Sequence, residues 1–254
     1  MKAVDCYFCG GSSHAPYAEE NGYSLVKCDG CGLLYVNPRP DDDAITAAMQ
    51  TGQHRGEETL DRVGAFLDDK VAGYEDVLAD LFPDESPAGR WLDIGCGHGE
   101  FLEALRWQFG PAVAAEGLEP CRPKAAAARA RGLTIRDEDG AIEPESLDAI
   151  SALNVYSHLP DPVATIARWS RWLRPGGSFV IQTGDSCNLP VRHHHQPFDL
   201  PDHLSFANQR IVRSILERAG LLVHTRQHYR HGGVPAWQLW RRPFRDMWLV
   251  ARKR

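Results

Sequence analysis

The chain has 254 residues, 43% of them hydrophobic and 24% charged, enough for one α/β unit and a small appendage. A net charge of −6 supplies no basic field for nucleic acid or an anionic membrane. The opening Met1-Lys2-Ala3-Val4-Asp5-Cys6 has no apolar targeting core and no run reaches the length of a membrane span, so a cytoplasmic protein is expected.

Seven cysteines in a cytoplasmic chain are not read as disulfides. Cys6, Cys9, Cys28 and Cys31 form C-x2-C-x18-C-x2-C, the spacing of two knuckles that point their thiolates at one tetrahedral zinc. With all four positions filled by protein, the site is closed to water and substrate and is structural. Cys96, Cys121 and Cys187 stand alone and read as ordinary buried residues. A zinc ribbon is therefore expected over residues 1–40, with strands at 23–27 and 33–36 and a stop at Pro38 and Pro40. A helical cap or linker follows over 41–89. Asp41, Asp42 and Asp43 cap a short helix, 51–58 is a polar loop, and apolar positions from Leu60 to Leu81 predict a long helix.

From Arg90 to the end, strands and helices alternate, which predicts a mostly parallel sheet covered by helices. The expected strands are 90–94, 113–118, 133–136, 147–153 and 178–183, with two more at 221–228 and 247–253. Helices are expected over 100–109, 123–131, 162–173 and 208–219; the last has Ile211, Val212, Ile215 and Leu216 on one face.

The first strand and helix are joined by Asp93-Ile94-Gly95-Cys96-Gly97-His98-Gly99-Glu100. A glycine loop of this shape lets a ligand lie against the backbone at a helix N-terminus. A dinucleotide fold wants G-x-G-x-x-G, and here Glu100 stands where its last glycine belongs. No triphosphate-binding G-x-x-x-x-G-K-[ST] occurs. The pattern D-x-G-x-G-x-G resembles motif I of the class I S-adenosylmethionine (SAM) methyltransferases. Three further segments resemble the same family: Ser146 to Pro162, Leu173-Arg174-Pro175-Gly176-Gly177, and Pro201-Asp202-His203-Leu204-Ser205-Phe206 ahead of an amphipathic helix. Together these span 90–254 and imply a Rossmann-like α/β fold, mostly parallel with an antiparallel last strand.

The resemblance also implies roles. Gly95, Gly97 and Gly99 cradle SAM, Asp93 organises its methionyl end, and Asn154 and Val155 line the methyl-donor side. Glu119 lies 26 residues after Asp93, near the offset of ~20 seen for ribose-binding acids, and its carboxylate accepts from both ribose hydroxyls. Asp137, Glu138 and Asp139 compete to meet the adenine. A hydroxyl acceptor needs a base, and His158, just past the fourth strand, is the first candidate, ahead of His203; each is otherwise a structural histidine. Tyr156 either orients an acceptor or packs as a ring.

His193-His194-His195 lacks metal-ligand spacing and sits in the stretch 184–201, which has the length of a functional loop over an acceptor. Trp237, Trp240 and Phe244 read as packing. The function expected is methyl transfer to a small molecule, a secondary metabolite or sugar-type acceptor bearing a hydroxyl or amine. The ribbon-then-catalytic order resembles the first two-thirds of sugar C-methyltransferases. One alternative makes SAM itself the substrate, by aminocarboxypropyl transfer or cyclisation with release of methylthioadenosine. Another is an RNA methyltransferase using the ribbon, against which stand the acidic balance and Lys27 as the only basic residue between Cys6 and Cys31.

Overall fold

A computed structural model describes residues 1–84, 87–140, 142–194, 196–229 and 246–254. His195, Trp237, Trp240 and Phe244 lie outside the described residues.

The ribbon begins with strands β1 (His14–Glu20) and β2 (Tyr23–Cys28), which pair antiparallel. Their two-residue turn is Asn21-Gly22, both with positive φ (52° and 78°), the backbone that an Asn-Gly hairpin supplies without strain. β3 (Leu34–Val36) pairs with β2. Helix α1 (Asp42–Thr51) starts at Asp41, whose carboxylate accepts the Ala44 N–H at 2.9 Å.

Two expectations fail in the next segment. The polar loop at 51–58 is part of a hairpin, β4 (Gln53–Arg55) with β5 (Thr59–Asp61), and the long helix is only α2 (Asp68–Leu81). Asp61 accepts the Val63 N–H at 2.9 Å and Gly64 adopts φ +63°, so the chain turns here before any helix forms. The apolar spacing at Leu60 and Val63 had mimicked a helical face.

The α/β layer contains β6 (Gly89–Ile94), α3 (Glu100–Phe109), β7 (Val113–Leu118), α4 (Arg122–Ala130), β8 (Ile135–Arg136) and β9 (Leu147–Leu153). It continues with α5 (Pro162–Ser170), β10 (Leu173–Gly184), α6 (Gln209–Arg218), β12 (Leu221–Tyr229) and β13 (Asp246–Lys253), while β11 (Ser205–Phe206), between β10 and α6, leaves this layer. The main sheet runs β12-β13-β10-β9-β6-β7-β8, and β13 is antiparallel to both of its neighbours. This is the expected mostly parallel sheet with its last strand reversed.

Side chains alternate across it. Leu92, Ile150, Phe179, Ile181 and Leu249 enter one core with α5, α6 and the ribbon's Leu25, Leu33 and Val36. Trp91, Ala149, Val180, Trp248 and Val250 enter the other, with Leu78 of α2 and Leu105 of α3. Both faces are buried, so these strands read as nearly continuous apolar runs.

The ribbon is sewn into this body. β11 pairs with β3, so the ribbon sheet, β1-β2-β3-β11, takes its fourth strand from residues 205–206. Glu20 accepts the N–H groups of Phe198 (2.7 Å) and Leu200 (2.9 Å), and Asn21 bonds Leu200 and Glu58. The Tyr23 hydroxyl donates to the Arg55 carbonyl at 2.8 Å, so the ribbon braces both the β4–β5 hairpin and the loop before β11.

Candidate active site

The carboxyl ends of β6, β7, β9 and β10 open on a cleft of about 1800 Å³, roofed by α1, the β4–β5 hairpin and α2. This is where an open α/β sheet binds ligands. Gly95, Gly97, Glu119, Asn154, Val155, His158 and His203 all line it.

At the glycine loop, Gly95 has φ +68° and a Cβ there would lie 2.5 Å from Val155 Cγ2, so only glycine lets the loop lie against the end of β9. Gly99 caps α3 at φ +94°, and a Cβ would collide with Leu133; its place is beneath the loop, where it seats the helix on its neighbours. Glu119, 5% exposed, accepts the N–H groups of Gly97 and Cys121, each at 2.8 Å, and so ties the ends of β6 and β7 together.

Asp93 is buried below the cleft lining. It accepts a 2.6 Å bond from Ser151 Oγ, which in turn accepts from Trp91 Nε1 at 3.0 Å. Burial pushes its carboxyl up to about 7, with the Glu119 and Glu100 charges adding to the rise and the Ser151 bond opposing it. Glu100, the residue that departs from the dinucleotide pattern, accepts the Leu67 N–H at 3.2 Å and positions the entry to α2.

The other end of the cleft gathers side chains from segments far apart in sequence. His158 Nδ1 lies 3.0 Å from the Asp202 carbonyl oxygen and 2.9 Å from its Oδ1. Both partners are acceptors, so Nδ1 carries a proton, and in the neutral ring the lone pair is on Nε2. His54 of β4 places Nε2 3.1 Å from the same Asp202 Oδ1. Arg62 pairs with Asp199 and holds Nε 3.6 Å from Asp202 Oδ2. His203 donates from Nδ1 to the Phe198 carbonyl (2.7 Å), and its ring centroid is 4.9 Å from that of His158.

These contacts separate the two imidazoles. Burial drives the His158 pKa down, but the Asp202 charge and hydrogen bonds outweigh it and leave the value raised. Burial and the neighbouring His158 lower His203 to about 4, so it is neutral at pH 7. Asp202 resists its own burial through three imidazoles and lies well below the usual carboxylate range.

Other expected site residues lie elsewhere. Tyr156 is fully buried outside the cleft lining; its hydroxyl is 2.8 Å from that of Tyr7, which is 3.0 Å from Ser205 Oγ, so the ring packs ribbon against sheet and does not reach an acceptor. His193 is exposed, and buried His194 stands edge-on to Phe206 with centroids 4.7 Å apart. Asp137 pairs with Arg129 and Asp139 with Arg168, each at 2.8 Å; neither they nor Glu138 lines the cleft. His54, Arg62 and Asp202 were not singled out by sequence. Asp202 stood inside a quoted motif, whereas His54 sat in a stretch with no local pattern.

In the ribbon, Cys6 and Cys31 Sγ are 3.5 Å apart, as are Cys9 and Cys28 Sγ, and all four sulfurs lie within 4.8 Å of one another. Four thiolates at 2.3 Å from a tetrahedral centre stand ~3.8 Å apart, so the cluster has the dimensions of a metal cage.

A family model described as a methyltransferase domain matches residues 66–226, well over half the chain. The chain belongs to this methyltransferase family. Its fold is that of the class I SAM-dependent methyltransferases. Among curated relatives, a ubiquinone biosynthesis O-methyltransferase of Xanthomonas campestris is 31% identical over 105 residues, covering 38% of this chain and 44% of that protein. A protein of transposon TN4556 from Streptomyces fradiae is 29% identical over 163 residues, covering 61% of this chain and 45% of the relative. The methyltransferase chain thus spans less than half the length of these relatives.

Two solved structures share the fold at low identity. Geranyl diphosphate C-methyltransferase from Streptomyces coelicolor superposes with a TM-score of 0.57 at 17% identity, over 74% of this chain and 84% of that one. Phosphoethanolamine N-methyltransferase 2 of Haemonchus contortus gives 0.55 at 16%, over 71% and 52%. Among the described residues no helix is long and apolar enough to cross a membrane.

Proposed function

We propose that this domain transfers the methyl group of SAM to a small-molecule acceptor bearing a hydroxyl or amine. The carrying observation is that one cleft holds the Gly95–Gly97 loop with Glu119 at one end and the His158–His203 pair at the other. The donor end suits SAM: a Cβ on Gly97 would meet only Glu100 Oε2, 4.0 Å away, and Glu119 offers a buried carboxylate beside that open backbone. When bound, SAM supplies an already activated methyl group.

The chain's own work is placement and proton handling. Glu119 holds the ribose hydroxyls, Asp93 orients the methionyl end from beneath, and Asn154 and Val155 shape the donor side. His158, with Nδ1 tied to Asp202, takes the proton of a hydroxyl acceptor on Nε2; an amine needs only to arrive neutral. The four ribbon thiolates hold a structural zinc, closed to chemistry. The small-molecule chemistry of the solved neighbours and the ubiquinone O-methyltransferase relatives supports this class of acceptor. Lys27 is the ribbon's one Lys or Arg between the knuckles, which speaks against a nucleic-acid partner.

Calorimetry with S-adenosylhomocysteine tests the donor site. The unaltered protein binds it, and Glu119→Ala weakens binding about 10- to 100-fold, the size of one or two lost charge-assisted hydrogen bonds. Unchanged affinity in the variant removes Glu119 from the ribose site, and no binding by the parent protein defeats the reading. Turnover releasing methylthioadenosine would move the reaction to the alternative in which SAM itself is consumed.

A further inference from the structure

The methyl-transfer reading leaves unexplained why a histidine of the roof reaches into the cleft. His54 comes from β4, outside the α/β layer, yet it is only 9% exposed and places its Nε2 3.1 Å from Asp202 Oδ1. The same oxygen receives the His158 Nδ1–H at 2.9 Å. One carboxylate therefore links a residue of the roof to the candidate base of the floor. Arg62, just after β5, adds its Nε 3.6 Å from Asp202 Oδ2 and an ion pair to Asp199.

We propose that Asp202 and His54 are positioning residues of the acceptor site: Asp202 holds the His158 ring with Nε2 free for the acceptor's proton, and His54 locks Asp202 so that the base is fully assembled only with the β4–β5 hairpin seated. The proposal rests on the methyl-transfer reading of the cleft. In the step it serves, the acceptor O–H bond breaks and its proton joins His158 Nε2. The acceptor oxygen forms the new bond to the methyl carbon as the carbon–sulfur bond opens, and the sulfonium becomes a neutral thioether. The imidazolium produced stands beside the Asp202 carboxylate, so charge is neutralised where it appears. His158 then returns its proton to water.

The groups facing His158 come from several elements. Asp202 and His203 belong to the loop before β11, His54 to β4, Arg62 to the turn after β5, and Lys124 to α4. His54, Arg62 and His203 press on Asp202 or on the ring directly, while Lys124 acts on both His54 and His158 across the cleft. Among these, Asp202 is the only anion in contact with the ring, so the ring's basicity depends on it.

The test is ring NMR of the full-length protein labelled with ¹⁵N-histidine, with S-adenosylhomocysteine present. In the parent protein His158 shows the Nδ1–H tautomer. In Asp202→Asn its titration midpoint falls by at least about one pH unit, the effect of losing an opposite charge in contact. His54→Ala shifts the midpoint or broadens the Nδ1–H signal, and His54→Gln, which keeps an N–H donor, restores it. A merely structural role would not be rescued in this way. S-adenosylhomocysteine affinity within twofold of the parent certifies that each variant folds; should Asp202→Asn fail that check, Asp202→Glu with a shifted ring signal takes its place. Folded variants whose His158 signal matches the parent overturn the proposal and leave the donor site intact, whereas a parent protein that binds no S-adenosylhomocysteine overturns the methyl-transfer reading itself.

Discussion

The ribbon thiols and the cleft imidazoles are both clusters of metal-capable side chains, each with its ligand atoms within 4.8 Å of one another. They solve the problem of crowded polar atoms in opposite ways. The four sulfurs have one another and a few backbone N–H groups, and burial favours the neutral thiol at Cys6 and Cys31, so four thiolates would need a cation at the centre. In the cleft, His158 and His203 each give Nδ1–H to a backbone carbonyl, and Asp202 lies within 3.1 Å of both His158 and His54. What remains on His158 and His203, both of which line the cleft, is Nε2. A closed cluster completes structure, and a self-satisfied one with spare lone pairs can do proton chemistry.

The widest separation between the two regions comes from Cys28→Ser. Structural zinc contributes apparent binding free energies of about 10–16 kcal/mol in isolated fingers. Here the ribbon shares a core with β6, β9 and β10 and a sheet with β11. Loss of the cluster therefore propagates into the whole body. The expected result is loss of the zinc proposed for the cluster and a melting temperature lower by about 10 °C or more. Elemental analysis and a thermal melt check it; a metal-free variant melting with the parent would mean that the ribbon is an ornament.

The same contrast explains what was readable beforehand. The thiol cluster depends on two short knuckles whose turns are local, so spacing alone exposes it. The glycine loop and Glu119 were legible for a similar reason, since β6, its loop and α3 are contiguous and β7 follows within one helix. Strands β6, β9, β10 and β13 were legible because burial on both faces leaves nearly unbroken apolar runs, whereas the two-residue β11 was not. The acceptor end was only half visible. His158 and His203 sat in recognisable segments, but their partners are set by tertiary folding: His54 arrives 148 residues ahead of Asp202 on a hairpin whose residues alternate too briefly to announce a strand. Leu60 and Val63 happened to extend the apolar period of α2, and so a turn read as a helix.

A middle-sized effect comes from beneath the donor loop. Asp93 is an acid that burial has made reluctant to ionise, with a folded pKa of about 7 against the ordinary 3.8. The sign follows from linkage: the folded state holds the proton more tightly, so folding is helped below pH 3.8 and that help is lost as pH rises through about 7. Asp93→Asn, which cannot ionise, should therefore raise the melting temperature of the ligand-free protein at pH 8, on the order of 5 °C, and do little at pH 4. Melts across pH check it, and an equal gain at both ends would show that the benefit is packing and that ionisation carries no cost. Asp93 thus carries a cost of ionisation that the Ser151 hydrogen bond only partly offsets.

The smallest effect decides to which region Tyr156 belongs. Its motif places it beside the candidate base in sequence, while its hydroxyl points at Tyr7 of the ribbon, 2.8 Å away. Tyr156→Phe leaves Tyr7 with Ser205 Oγ at 3.0 Å, so one buried bond is lost and none of its partners is stranded. A net cost of about 0.5–1.5 kcal/mol follows, or roughly 1–6 °C in melting temperature. S-adenosylhomocysteine affinity and the His158 titration should stay with the parent, because neither touches that hydroxyl. A variant that melts normally but shifts the His158 titration would return Tyr156 to the acceptor site and move the boundary between ribbon and cleft by one side chain.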